Sequence, residues 1–66
     1  MEVNINHQTF FVKEPNLLSA LQSYGLKQTK GVAIAVNDCV VRKSDWEVFQ
    51  IHPGDRITVI TAAQGG

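Results

Sequence analysis

The chain closes on Ala62-Ala63-Gln64-Gly65-Gly66, and this diglycine end carries its best opportunity for chemistry. Glycine has no Cβ, so two in succession leave the terminal carboxylate unshielded on every side. A narrow active site can thread such a tail and reach the carboxyl carbon. A free α-carboxylate, with a pKa near ~3.5, is an anion at neutral pH and a poor electrophile. It must be activated before a nucleophile will attack it. Gly66 presented in this way predicts a protein that is itself a substrate, activated at its own C-terminus. On the dipeptide alone a frayed end is the better reading, since termini are commonly disordered. The rest of the chain has to decide between the two.

Other reactive residue types are sparse. The single cysteine, Cys39, stands at a turn before a short strand. No histidine or basic cluster lies near it in sequence to activate the thiol, so it reads as a strand cysteine. His7 and His52 lie in separate turns, and one cysteine with no further ligand cluster argues against a metal site. Asp45 and Asp55 have the character of capping and turn residues rather than of an acid/base pair. No glycine-rich phosphate loop is present. Tyr24 and the phenylalanines read as core or helix-stripe members, not as a stacking platform for bases.

Composition narrows the partners. The chain has 66 residues, enough for one domain with one small core and too few for a deep cleft. Six basic and six acidic residues cancel. Without a basic stripe, neither nucleic acid nor an anionic membrane surface is an expected partner. A lone cysteine cannot form an internal disulfide, and small secreted domains usually carry an even set. The first residues, Met1-Glu2-Val3-Asn4-Ile5-Asn6, show no signal-peptide pattern, and no apolar run is long enough to span a membrane. The expected location is the cytoplasm.

The elements that must position the tail can be read in order. Val3 and Ile5 alternate with Glu2, Asn4 and Asn6, a half-buried strand. Asn6-His7-Gln8 supplies a turn, and Thr9-Phe10-Phe11-Val12 returns as a second strand of a hairpin. Pro15 suits the first turn of a helix, and either Glu14 or Asn16 can mark its entry. Leu17, Leu18, Leu21 and Tyr24 form one apolar stripe, and Gly25 stops the helix. Lys27 to Gly31 is a polar loop.

Val32, Ile34 and Val36 then alternate with Ala33 and Ala35, giving a third strand with a large-residue face and a small-residue face. Asn37-Asp38 turns into the short strand Cys39-Val40-Val41. Lys43 to Glu47 predicts a turn or a single helical turn, and Val48, Phe49 and Ile51 add apolar contacts. His52-Pro53-Gly54-Asp55 is a strong turn before the last strand. The expected fold is α+β, a mixed sheet of four to five strands packed on one helix. The helix stripe should cover Val3, Ile5, Val32, Ile34, Val36, Ile57 and Val59, with Trp46 closing one end. The domain is expected over residues 1–61, with 62–66 as a flexible tail.

Three stretches, taken in order, resemble the ThiS family of ubiquitin-like β-grasp sulfur carriers of thiamin biosynthesis. Ala33-Ile34-Ala35-Val36-Asn37-Asp38, followed by Val40-Val41-Arg42 and Ser44-Asp45-Trp46, is similar to the family's middle hairpin and the tryptophan after it. Pro53-Gly54-Asp55-Arg56-Ile57 is similar to its last tight turn, and Ala62-Ala63-Gln64-Gly65-Gly66 to its tail. The order of elements agrees over essentially the whole chain.

The resemblance implies that a ThiF-like adenylyltransferase uses ATP to convert Gly66 to an acyl-adenylate. A persulfide donor, such as a cysteine desulfurase, then replaces the AMP and leaves a C-terminal thiocarboxylate. That sulfur is soft and nucleophilic, and it passes to a ThiG-like thiazole synthase. The protein would have no catalytic residue and no bound cofactor of its own. Gly66 is the reacting group, Gly65 keeps the approach clear, and Gln64 belongs to the same tail. Residues 62–66, fully extended, reach at most ~16–18 Å.

Docking requires a surface. If the large residues face the helix, Ala33, Ala35, Thr58 and Ile60 line the opposite face of the sheet, with Arg56 beside them. An apolar patch of small residues on an open sheet suits a partner. Rival readings are a carrier like the small subunit of molybdopterin synthase, a protein modifier joined through Gly66 to lysines, and a β-grasp interaction domain with an inert tail. The short chain and the Asn37-to-Trp46 segment favour the thiamin reading.

Overall fold

The computed structural model describes residues 1–26 and 30–61. The order of elements is β1 (Glu2–Ile5), β2 (Gln8–Phe11), α1 (Leu17–Tyr24), β3 (Val32–Val36), β4 (Cys39–Val41), a 3-10 turn (Lys43–Asp45) and β5 (Arg56–Thr61). The strands form one sheet in the order β2-β1-β5-β3-β4. β5 lies parallel to β1 and antiparallel to β3, so the last strand is central. This is the expected mixed sheet on one helix.

Both hairpins turn through two residues of positive φ. Asn6 and His7 lie at 50° and 69°, and Asn37 and Asp38 at 50° and 71°. A two-residue turn with both central residues left-handed matches the twist of the flanking strands and sets their register. Gln8, which the sequence assigns to the first turn, therefore already pairs with Ile5. In the second hairpin the turn places Cys39 opposite Val36 and Val40 opposite Ala35.

The helix begins later than the proline suggests. Asn16 is the N-cap, and its Oδ1 accepts from the Ser19 amide at 2.7 Å. Pro15 stands just outside the helix instead of in its first turn, and its carbonyl accepts from the Ile51 amide at 3.0 Å. The Leu17 and Leu18 amides donate to the carbonyls of Phe49 and Trp46, at 2.9 and 3.0 Å. First-turn amides have no partner inside their own helix. Here a distant segment supplies it and anchors the helix. At the other end Gly25 adopts φ 93°, and the Leu26 amide returns to the Leu21 carbonyl at 3.1 Å. That closure requires a left-handed residue, which favours glycine.

One core lies between sheet and helix. Val3, Ile5, Ile34, Val36 and Ile57 from the sheet meet Leu17, Ala20 and Leu21 from the helix, all buried. Val32 and Val59 are only partly buried against them. Trp46 is buried, and its Nε1 donates to the Val41 carbonyl at 3.0 Å. The ring closes one end of the core without leaving a polar atom unpaired. Ile51 is buried as expected, whereas Val48 is 74% exposed. Val48 lies in the turn that follows the 3-10 segment, where the amides of both Val48 and Phe49 return to the Asp45 carbonyl. That turn directs Phe49 toward the core and leaves Val48 outside it.

Candidate functional site

Gly66, Gly65 and Gln64 lie outside the described residues, and the site is built from what leads up to them. β5 enters from the turn His52-Pro53-Gly54-Asp55. Gly54 lies at φ 86° and the Asp55 amide donates to the His52 carbonyl at 3.0 Å. A proline followed by a left-handed glycine is the type II pattern. Asp55 fixes this turn from inside. Its Oδ2 accepts from the His52 amide at 2.8 Å, and its Oδ1 accepts from Asn37 Nδ2 at 3.1 Å. Asn37 Oδ1 in turn accepts from the Arg56 amide at 3.0 Å. The start of the tail-bearing strand is thus tied to the β3–β4 turn.

The strand then runs to Thr61 with β3 alongside for its whole length after Arg56. Ile57 pairs with Val36, Thr58 with Ala35, Val59 with Ile34, Ile60 with Ala33 and Thr61 with Val32. Odd-numbered residues of β5 face the helix, and even-numbered ones face away from it. Ala33, Ala35, Arg56, Thr58 and Ile60 accordingly share the outer face of the sheet. Ala35 differs from the others in being only 8% exposed, because it lies between Thr58 on one side and Val40 on the other. It contributes a floor more than a contact surface.

Val40 is the residue that reading the sequence for a docking face left out. It is 75% exposed and lies opposite Ala35 on the outer face, and Ile60 is 51% exposed. These two side chains supply most of the accessible apolar surface around Ala33 and Ala35. The signal was present in Asn37-Asp38, since a two-residue turn dictates which face the returning strand presents. Arg56, on the same face, pairs with Asp38 of its own chain at 3.7 Å, with both side chains largely exposed. An exposed pair of this kind adds little stability and leaves the guanidinium available to an incoming acid.

The other chemical candidates remain separate. Cys39 is exposed at the start of β4. His52 Nδ1 lies 3.8 Å from Asp55 Oδ2 within the turn, and His7 is in the opposite hairpin. Among the described residues no three His, Cys, Asp or Glu side chains converge on a metal-sized site. No helix among them is long and apolar enough to cross a membrane. What the arrangement offers is an outer-face patch of Ile60, Ala33, Ala35 and Val40 that spans β5, β3 and β4, on the sheet whose central strand leads into the diglycine tail.

Comparison with known proteins agrees with this geometry. The fold matches the crystal structure of the thiamine biosynthesis protein ThiS from Geobacter metallireducens, with a TM-score of 0.78. The two are 19% identical, and the match covers 100% of each chain. At that identity the likeness speaks for the β-grasp fold. No curated protein matches the sequence significantly. The model of the ThiS family matches residues 3–66, from the first strand through both terminal glycines, and the chain belongs to the ThiS family.

Proposed function

We propose that this protein is a sulfur carrier of thiamine biosynthesis whose reacting group is the carboxylate of Gly66. The observation that carries the reading is the family match extending through the tail to Gly66 itself. The apolar patch of Ile60, Ala33, Ala35 and Val40 supports it, because it offers a docking surface on the face of the sheet that includes the strand continuing into the tail. The domain is held outside a partner's active site while the tail enters it.

The chemistry proceeds in balanced steps. A carboxylate oxygen of Gly66 attacks the α-phosphorus of ATP in a ThiF-like adenylyltransferase, and pyrophosphate leaves. The terminal sulfur of a donor persulfide attacks the acyl carbon, AMP departs with its electron pair, and an acyl persulfide forms. A second thiolate attacks the donor's sulfur. The S–S bond breaks, a disulfide forms between the two thiols, and Gly66 is left as a thiocarboxylate. The sulfur is then delivered to a ThiG-like thiazole synthase. The protein acts throughout as a co-substrate and supplies no catalytic side chain. Adenylation solves the problem posed by the carboxylate, since it neutralises the anion and provides a leaving group.

The test is the intact mass of the protein after incubation with a family adenylyltransferase, ATP and a persulfide donor. A gain equal to one oxygen replaced by sulfur, localised to Gly66, is expected. No gain, with an enzyme shown to be competent on an established carrier, refutes the carrier reading.

A further inference from the structure

β5 outruns one of its two neighbours. β1 pairs with it only at Arg56 and Ile57, because the first strand ends at Ile5 and turns back at Asn6-His7. Among the described residues, the β1 side of the last strand beyond Ile57 has no backbone partner to continue the ladder. An unpaired strand edge frays more readily than a paired one. This edge lies immediately before the segment that carries Gly65 and Gly66.

The side chain of Asn6 fills the gap. Its Oδ1 accepts from the Val59 amide at 2.9 Å, and its Nδ2 is directed at the Val59 carbonyl at 3.4 Å. One carboxamide thus meets both backbone groups of one residue, as a neighbouring strand residue would. The Asn6 backbone amide still donates to the Ile57 carbonyl at 3.0 Å, so backbone and side chain of one residue extend the parallel ladder by a step. Nδ2 also donates to Tyr24 Oη at 3.2 Å. Tyr24 is the last residue of α1, and its ring stands edge-on against Phe10, with centroids 5.6 Å apart. The first hairpin, the helix end and the exit of the last strand therefore meet at one amide.

Resting on the carrier reading, we propose that Asn6, oriented by Tyr24, is a positioning residue for tail presentation. It fixes the direction in which the chain leaves the sheet after Thr61. If the strand end frays and swings, the residues that follow Thr61 start from a wider set of positions. A misplacement of even ~1 Å at a reacting atom can lower the rate about 100-fold. A partner can correct the swing only by ordering the freed backbone at each encounter.

Asn6→Gly tests this cleanly, because glycine accepts the left-handed φ of 50° and keeps the turn while removing the amide. The expected result is a fall in kcat for thiocarboxylate formation of about fivefold to thirtyfold, the effect of freeing on the order of one residue of backbone. KM should be unchanged, since the outer face is untouched. Asn6→Asp retains the acceptor for the Val59 amide and should recover part of the rate, with Tyr24→Phe intermediate. Hydrogen exchange at the Val59 amide should accelerate in Asn6→Gly while that of Ile57 does not. Trp46→Phe, which loses a buried hydrogen bond at a site remote from Val59, should load at the wild-type rate below its unfolding temperature. Loading of Asn6→Gly within twofold of wild type, or a loss matched by Trp46→Phe, overturns the positioning role. Wild-type protein that fails to load overturns the carrier reading and the positioning role together, a result distinct from either.

Discussion

Replacing Val40 and Ile60 by threonine asks whether the outer face of the sheet is where the adenylyltransferase docks. Both side chains are β-branched and so is threonine, so the strands keep their propensity. Both are exposed, at 75% and 51%, so the free protein should change in stability by no more than about 0.5 kcal/mol. Docking is where the substitution acts. Full burial of a valine or isoleucine side chain is worth about 1.5–3 kcal/mol. Scaled by the fractions still exposed, Val40 has about 1.1–2.2 kcal/mol left to gain in a complex and Ile60 about 0.8–1.5. Threonine keeps one methyl group, so the double variant should lose about 1.5–2.5 kcal/mol of binding, a rise of roughly tenfold to seventyfold in KM. The assay is steady-state loading of Gly66 followed by intact mass, with thermal unfolding of each variant alongside. kcat should hold, because the interaction is made equally before and during the chemistry. Phe11→Thr supplies the control. Phe11 is 75% exposed on the same face but opposite Glu2, on the far edge strand. An unchanged KM for Val40→Thr/Ile60→Thr, or an equal rise for Phe11→Thr, would refute docking through this patch.

Three further outcomes are expected. Gly65→Val, or removal of Gly66, should abolish thiocarboxylate formation while the unfolding temperature stays at its wild-type value, as read by intact mass and calorimetry. Asn16→Ala removes the acceptor for the Ser19 amide and should destabilise the fold by about 1 kcal/mol, a drop of roughly 4–8 °C in Tm for a domain of this size. Trp46→Phe deletes the donor to the buried Val41 carbonyl and should lower stability by about 1–3 kcal/mol in denaturant titration, with m unchanged.

The sequence alone determined the order of elements and the central apolar residues, and it pointed to Gly66 as the proposed reacting group. Alternation in Val3/Ile5 and in Val32/Ile34/Val36, and the stripe of Leu17 and Leu21, are local patterns of period two and period 3.6. They need only the neighbouring residues to be recognised. The tail could be read for a related reason: its proposed chemistry depends on what glycine lacks, not on what packs around it. Even the outer face followed from strand alternation, because a one-residue slip would have placed Val36 and Ile57 in solvent.

Tertiary structure decided what local pattern could not. Ala20 is buried by the sheet below it, and Pro15 is displaced from the helix by the segment that holds the Leu17 amide. Val48, apolar and next to the core-facing Phe49, is turned outward by the bonds that its own amide and that of Phe49 make to the Asp45 carbonyl. The placement of Val40 and Ile60 on one face, on either side of β3, required the hairpin register and the central position of β5 at once. Asn6 read as an ordinary turn residue, and nothing within a few positions of it points to Val59, more than fifty residues away. Its carboxamide finds that partner only because β1 and β5 lie parallel and the shorter strand stops first. Hydrogen bonds between groups so far apart in sequence follow from which strand ends where, and only the folded chain fixes that.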